Sequence, residues 1–212
     1  MKCKITISIF LSLIAIFSVQ AQAKDICSRA VIQSWNTTAS VTSFTSVSDA
    51  KKIIQEIIKV IGLKPNFEVQ AANIPNAAAV AYRGKRYVLY NPDFINRLNN
   101  ATGNEWASAS VLAHEIGHHL NGHTLENIGS QPDKELEADE FSGFVLRRMG
   151  ASLQQAQLAM KIAADYKRSL THPGQQERLI AIAGGWQNAN QQITGKQDVA
   201  KVQQSVNSNS VT

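Results

Sequence analysis

The sequence predicts an α+β fold, mainly helical, with one small antiparallel sheet beside a histidine-bearing helix. Three observations lead there. Apolar residues recur at helical spacing in several stretches. One block among them alternates apolar and polar residues as strands do, around a glycine-bearing turn. The stretch "LAHEIGHHLNGH", residues 112–123, places four of the chain's five histidines within a single helical pattern.

Residues 1–23 follow a different rule. Lys2 and Lys4 precede a nearly unbroken apolar run from Ile5 to Val19, and Ala21-Gln22-Ala23 sets small residues around a cut site. This reads as a secretory signal peptide cleaved after Ala23. About twenty apolar residues are needed to cross a bilayer and this run has about fifteen, so cleavage is expected instead of anchoring. The expectation is an exported protein, periplasmic or secreted, with no stable membrane insertion after signal cleavage. Cys3 leaves with the signal, so Cys27 is the one remaining thiol and no internal disulfide can form. Asp25-Ile26 lacks the small residue that a lipoprotein signal needs before its cysteine.

In "SDAKKIIQEIIKVIG", Ser48 is an N-cap candidate, positions 50, 53, 54, 57, 58 and 61 are apolar, and Gly62 is a stop, which predicts an amphipathic helix. "NFEVQAA" alternates as a short strand, and "AAAVAYRGKRYVLY" reads as a hairpin. Asn91-Pro92 opens a short helix through Leu98. Thr102 and Glu105 have capping-box spacing before the histidine helix, which ends at Asn121-Gly122. After Pro132 a helix is expected over about 133–149. Ser152 with Gln155 starts another toward Arg168, and a last one follows Thr171-His172-Pro173. Beyond Trp186 the chain is mostly Gln, Asn, Ser, Thr and Lys, so 190–212 is expected to be a disordered tail after a globular domain of 24–189.

With 44% hydrophobic and 17% charged residues, the chain can bury one sizeable core. Its formal charge of +5 falls to about +3 without Lys2 and Lys4, and no long basic block remains, so nucleic acid is not an expected partner. Lys51-Lys52 and Arg147-Arg148 read as solvated helix faces.

His114 and His118 lie one turn apart on one helical face, so both imidazoles can reach one ion. Glu115 projects beside that ion, placed to take a proton from water without filling a coordination position. A catalytic zinc needs three protein ligands and an open fourth position. Glu135, Glu137, Asp139 and Glu140 in "KELEADEFSGF" compete for the third. Glu135 and Asp139 border the apolar stripe of Ala138, Phe141, Val145 and Met149, whereas Glu137 and Glu140 share the opposite border with the arginines. Glu135 is therefore the candidate ligand. Asp139, one turn on, is placed to accept the free ring N–H of a ligand histidine. His119 points away from the clamp as a polar surface or partly buried residue, and His123 reads as structural.

Together these residues resemble the M48 peptidases, gluzincin-type zinc metallopeptidases that carry a histidine–glutamate pair on one helix and an E-x-E-A-D-like segment on a second. Here those read "HEIGHH" and "ELEAD". His123, "THP" at 171–173 and Arg178, six residues after His172, also match, so the resemblance spans about Asn76 to Ile182. It implies a zincin-like fold, one zinc ion per chain, and a peptide or unfolded protein substrate. That substrate would pair with an edge of the sheet containing Ala77–Tyr90. It places His172 on a loop near the metal, either aiding the transition state or capping zinc in a latent form; a plain helix-entry residue is the alternative. Arg178 is a supporting residue by the same resemblance, or a surface arginine. The expected function is an exported zinc metalloendopeptidase with Glu115 as general base. The rival is a latent or chaperone-like secreted zinc protein whose site His172 closes. The sequence sets no oligomeric state.

Overall fold

The computed structural model describes residues 44–125, 131–163, 169–170 and 172–209, with side chains over 49–162 and 169–195 of these. The expected signal peptide at 1–23, Cys27, Thr171 and the stretch 164–168 lie outside them. Helix α1 (Phe44–Ile61) buries Ala50, Ile53, Ile54, Ile57 and Ile58, the stripe that its spacing predicts. Each such isoleucine removed from water contributes about 1.5–3 kcal/mol before chain entropy is counted.

Three strands follow: β1 (Glu68–Ala71), β2 (Ala77–Tyr82) and β3 (Lys85–Tyr90). The β2–β3 hairpin turns on Arg83-Gly84, both at positive φ (49° and 75°), as a two-residue turn that matches strand twist requires. The sheet order is β1-β3-β2. Strand β1 runs parallel to β3, with Glu68 opposite Tyr87, so the sheet is mixed where a purely antiparallel one was expected. The chain passes over β3 between β1 and β2, and Asn91 Nδ2 donates to Ile74 O (2.6 Å) to hold that connection.

Helix α2 (Pro92–Thr102) begins as its sequence predicts, with the Asn91 side chain accepting from the N–H groups of Asp93 and Phe94. It runs past Leu98 to Thr102. The expected Thr102/Glu105 capping box is absent. Thr102 Oγ1 donates back to Leu98 O within α2, and Asn104 Oδ1 accepts from Trp106 N to start the next helix. A hydroxyl in a last helical turn has a carbonyl in reach and takes it.

Helix α3 (Trp106–Leu120) is the histidine helix, and 12 of its residues are buried, so it forms the centre of the molecule. It ends at Asn121 and Gly122 (φ 77°), as expected, and a 3-10 turn, His123–Leu125, doubles back on it. Helix α4 (Pro132–Arg148) has Pro132 in its first turn, acids at Asp133 and Glu135 near its N-terminus and Arg147-Arg148 at its C-terminus, as the macrodipole favours.

The Ser152/Gln155 capping box forms as read from the sequence, but the expected single helix is two short ones, α5 (Leu153–Ala156) and α6 (Leu158–Ala163). Helix α7 (Gln175–Asn209) packs along α4, burying Ile182 and Ala189. Its backbone stays helical to Asn209, where an unstructured tail from 190 was expected. Arg147 Nε donates to Asn190 Oδ1 (2.9 Å), and the Gln, Lys and Ala that follow are good helix formers. One core joins α1, the inner sheet face, α3, α4 and α7. No described helix is long and apolar enough to cross a membrane.

Candidate metal centre

Two buried helices supply the site. On α3, His114 and His118 turn their Nε2 atoms toward each other, 3.1 Å apart. From α4, Glu135 sets Oε2 3.4 Å from His114 Nε2 and Oε1 3.6 Å from His118 Nε2. The three side chains are all buried, and among the described residues they form the group able to share one ion. Atoms coordinating a tetrahedral zinc at about 2 Å stand about 3.3 Å apart, so these separations fit that metal. The donor chemistry fits as well: two imidazoles and one carboxylate leave a fourth position open.

Asp139 lies where the sequence puts it. Its Oδ1 accepts from His114 Nδ1 (2.9 Å), which leaves His114 Nε2 facing the group. Arg178, from α7, clamps the same carboxylate with two bonds, Nε to Oδ2 at 2.6 Å and Nη2 to Oδ1 at 2.9 Å. Its Nη2 also stands 3.5 Å from Glu135 Oε2. The structure thus brings Arg178 into the site and disposes of the surface alternative. His172 comes near as well, with Nδ1 3.9 Å from Glu135 Oε2, but it does not belong to the three-residue group.

Charge explains how these side chains hold together. Burial would depress His114, but Asp139 and Glu135 outweigh it and raise its pKa to about 10, so a proton on Nε2 sits between the ligands. Burial would likewise raise Glu135, yet His114, His118 and Arg178 hold its carboxyl far below the usual range. His118 is pushed well down by burial and by the His114 charge, so it stays neutral. A divalent cation would replace the His114 proton and meet the same partners.

Glu115 is buried, and burial raises it to about 7 against the pull of His114. Its Oε2 accepts from Ala79 N on β2 (2.7 Å). The sequence carries no signal of that contact. His114, Glu115, Asp139 and Arg178 line a cavity of about 120 Å³ whose apolar wall includes Val111 and Met160. His119 is buried: it stacks on Phe67 and hydrogen-bonds Tyr87 O (2.8 Å), tying α3 to the sheet.

No match to the chain was found among the curated proteins, nor among the solved structures. Residues 46–134 match the model of peptidase family M48, from α1 through the histidine helix to the first turn of α4. Glu135 is the residue after that span, and it converges with His114 and His118 on one metal-binding point. Over residues 46–134 the chain is similar to peptidase family M48, and its His114, His118 and Glu135 are positioned to bind a metal.

Proposed function

We propose that the protein is an exported zinc metalloendopeptidase acting on extended or unfolded polypeptide, with His114, His118 and Glu135 as ligands and Glu115 as general base. The observation that carries this reading is the convergence of three buried ligand groups within 3.1–3.6 Å beside a cavity that Glu115 also lines. A zinc ion held there supplies Lewis acidity, which acidifies water and polarises a carbonyl. Glu115 takes the proton of the attacking water and returns it to the leaving amine. The Ala79 N–H engages one carboxylate oxygen and leaves the other for that transfer.

Strand β2 is an edge of the sheet. The Asn91 N to Asn76 O bond and the alternation of an antiparallel ladder turn the backbone groups of Ala77, Ala79 and Ala81 away from β3; of these the Ala79 N–H is taken by Glu115, which leaves the Ala79 carbonyl and the groups of Ala77 and Ala81. This edge is suited to align a peptide main chain beside the cavity, whose Val111 and Met160 wall would take an apolar side chain. His172, near Glu135 but outside the ligand group, is assigned to support of the reacting carbonyl.

Purified full chain should contain one zinc and cleave a casein-type substrate, with activity removed by chelator. Glu115→Gln should retain zinc and lose about 10²–10⁴ in turnover. Normal cleavage by that variant would eliminate Glu115 as the base. Glu135→Gln should lose metal on dialysis, and His172→Ala should lower turnover; a rise would make His172 a cap. Export is checked by N-terminal sequencing of the protein recovered outside the cytoplasm, expected to start at Lys24.

A further inference from the structure

The two histidines of the metal group are supported in different ways. His114 meets a carboxylate directly, through Asp139. His118 has no carboxylate at its outer nitrogen; its Nδ1 lies 2.9 Å from Nδ1 of His123. The other ring nitrogen of His123, Nε2, lies 3.0 Å from Glu137 Oε2. Only the local chain path makes this possible. Helix α3 stops at Asn121 and Gly122, and the 3-10 turn folds His123 back under His118, with ring centroids 5.1 Å apart at 66°. Glu137 then arrives from α4, two residues beyond Glu135.

Hydrogen-bond bookkeeping fixes where each proton sits. A carboxylate oxygen only accepts, so His123 presents Nε2–H to Glu137 and keeps a lone pair on Nδ1. That lone pair accepts from His118 Nδ1–H, which leaves His118 Nε2 as the bare donor facing His114 and Glu135. The reverse tautomer would strand a buried N–H against the ligand group, since His123 is buried and His118 almost wholly so.

We propose that His123 and Glu137 are positioning residues for the metal: a carboxylate–imidazole relay that locks His118 in its Nε2-coordinating tautomer. The inference rests on the reading that His114, His118 and Glu135 hold zinc. It gives α4 three tasks along one face and its border: a ligand at Glu135 and the anchors of both histidines, at Asp139 and Glu137.

The test compares zinc dissociation constants of the full chain by chelator competition. His123→Leu removes the acceptor and should bind zinc about 10–100-fold more weakly. In His123→Asn the side-chain oxygen takes the place of Nδ1, so that variant should recover most of the loss. Glu137→Leu removes the acceptor of His123 Nε2–H and should also weaken zinc binding, by less than His123→Leu because the Glu137 side chain is exposed. Nitrogen-15 NMR of histidine-labelled, zinc-loaded wild type adds a readout free of any folding defect, with the protons expected on His118 Nδ1 and His123 Nε2. A proton on His123 Nδ1 overturns the relay, as does a His123→Leu constant within threefold of wild type. Wild type that binds no zinc would instead bring down the metal-site reading beneath it.

Discussion

The backbone N–H of Ala79 donates to Glu115 Oε2 across 2.7 Å, fastening the carboxylate beside the metal group to the edge strand β2. A carboxylate fixed at one oxygen presents the other in a defined direction. The bond therefore couples the sheet edge, where a substrate main chain would align, to the group that would move its proton.

Burial raises Glu115 from 4.5 to about 7, a shift that makes the metal-free protein sensitive to pH. For an acid raised on folding, the contribution to stability is fully present below about 4.5. It is lost as pH climbs through about 7. Glu115→Gln carries no charge at any pH and can still accept from Ala79. Between pH 5 and 8, denaturant melts in chelator should show the variant gaining on wild type by on the order of 3 kcal/mol. A stability difference that stays constant across that range would contradict the buried, raised carboxyl.

Metal binding should release protons in a countable way. At pH 8 in the metal-free protein, His114 is protonated, with its pKa raised to about 10, while His118 is neutral and Glu135 ionised. Zinc must displace the His114 proton to reach Nε2. Calorimetric titration in two buffers of different ionisation enthalpy should therefore give a release of about one proton per zinc at pH 8. Release near zero would mean that His114 is already neutral, and that Asp139 and Glu135 do not act on it as their geometry requires.

What the sequence made legible at this site is what lies along one helix. The four-residue step from His114 to His118, and that from Glu135 to Asp139, follow from 3.6 residues per turn, and both pairs stand where the periodicity puts them. The Ser152 cap was legible for the same reason, because its partner Gln155 is local. Contacts between elements were not. Nothing in "NFEVQAA" says that β1 pairs with β3 in parallel, and nothing in Glu137 beyond its exposed flank says that it reaches His123. Periodicity tells which face of an element is buried, while the partner of that face is chosen by the rest of the chain. At Thr102 a local rule misled, because a nearer carbonyl in α2 claimed the hydroxyl.

The pair Asp139–Arg178 is a two-bond ionic joint between α4 and α7. Both side chains are nearly buried, and the two bonds at 2.6 and 2.9 Å match guanidinium to carboxylate. Arg178→Met takes two bonds from the buried Asp139 carboxylate and leaves it only His114, so denaturant melts should show a loss of up to about 3–5 kcal/mol. Adding Asp139→Asn should return part of that loss, and the double variant should be more stable than the sum of the singles predicts. Strict additivity would show that the two groups do not depend on each other.

Two adjacent glycines of α7 should respond in opposite directions to the same substitution. At Gly184 an added methyl group meets nothing within 4 Å. Gly184→Ala therefore gains only helix propensity, about 1 kcal/mol of added stability. At Gly185 the same methyl would run into the Glu140 carbonyl and the Phe144 N–H of α4, and Gly143 faces Ile182 in the reciprocal way. Those are backbone atoms in packed helices and cannot swing aside as a flexible side chain does. The helices must separate, at about 1–3 kcal/mol or more, and Arg178, two turns earlier on α7, is drawn away from Asp139. Thermal melts should thus rise for Gly184→Ala and fall for Gly185→Ala, and zinc affinity should weaken in the second variant only. Equal melting temperatures for the two would show that the α4–α7 contact is looser than these glycines imply, and that the Asp139–Arg178 clamp does not depend on it.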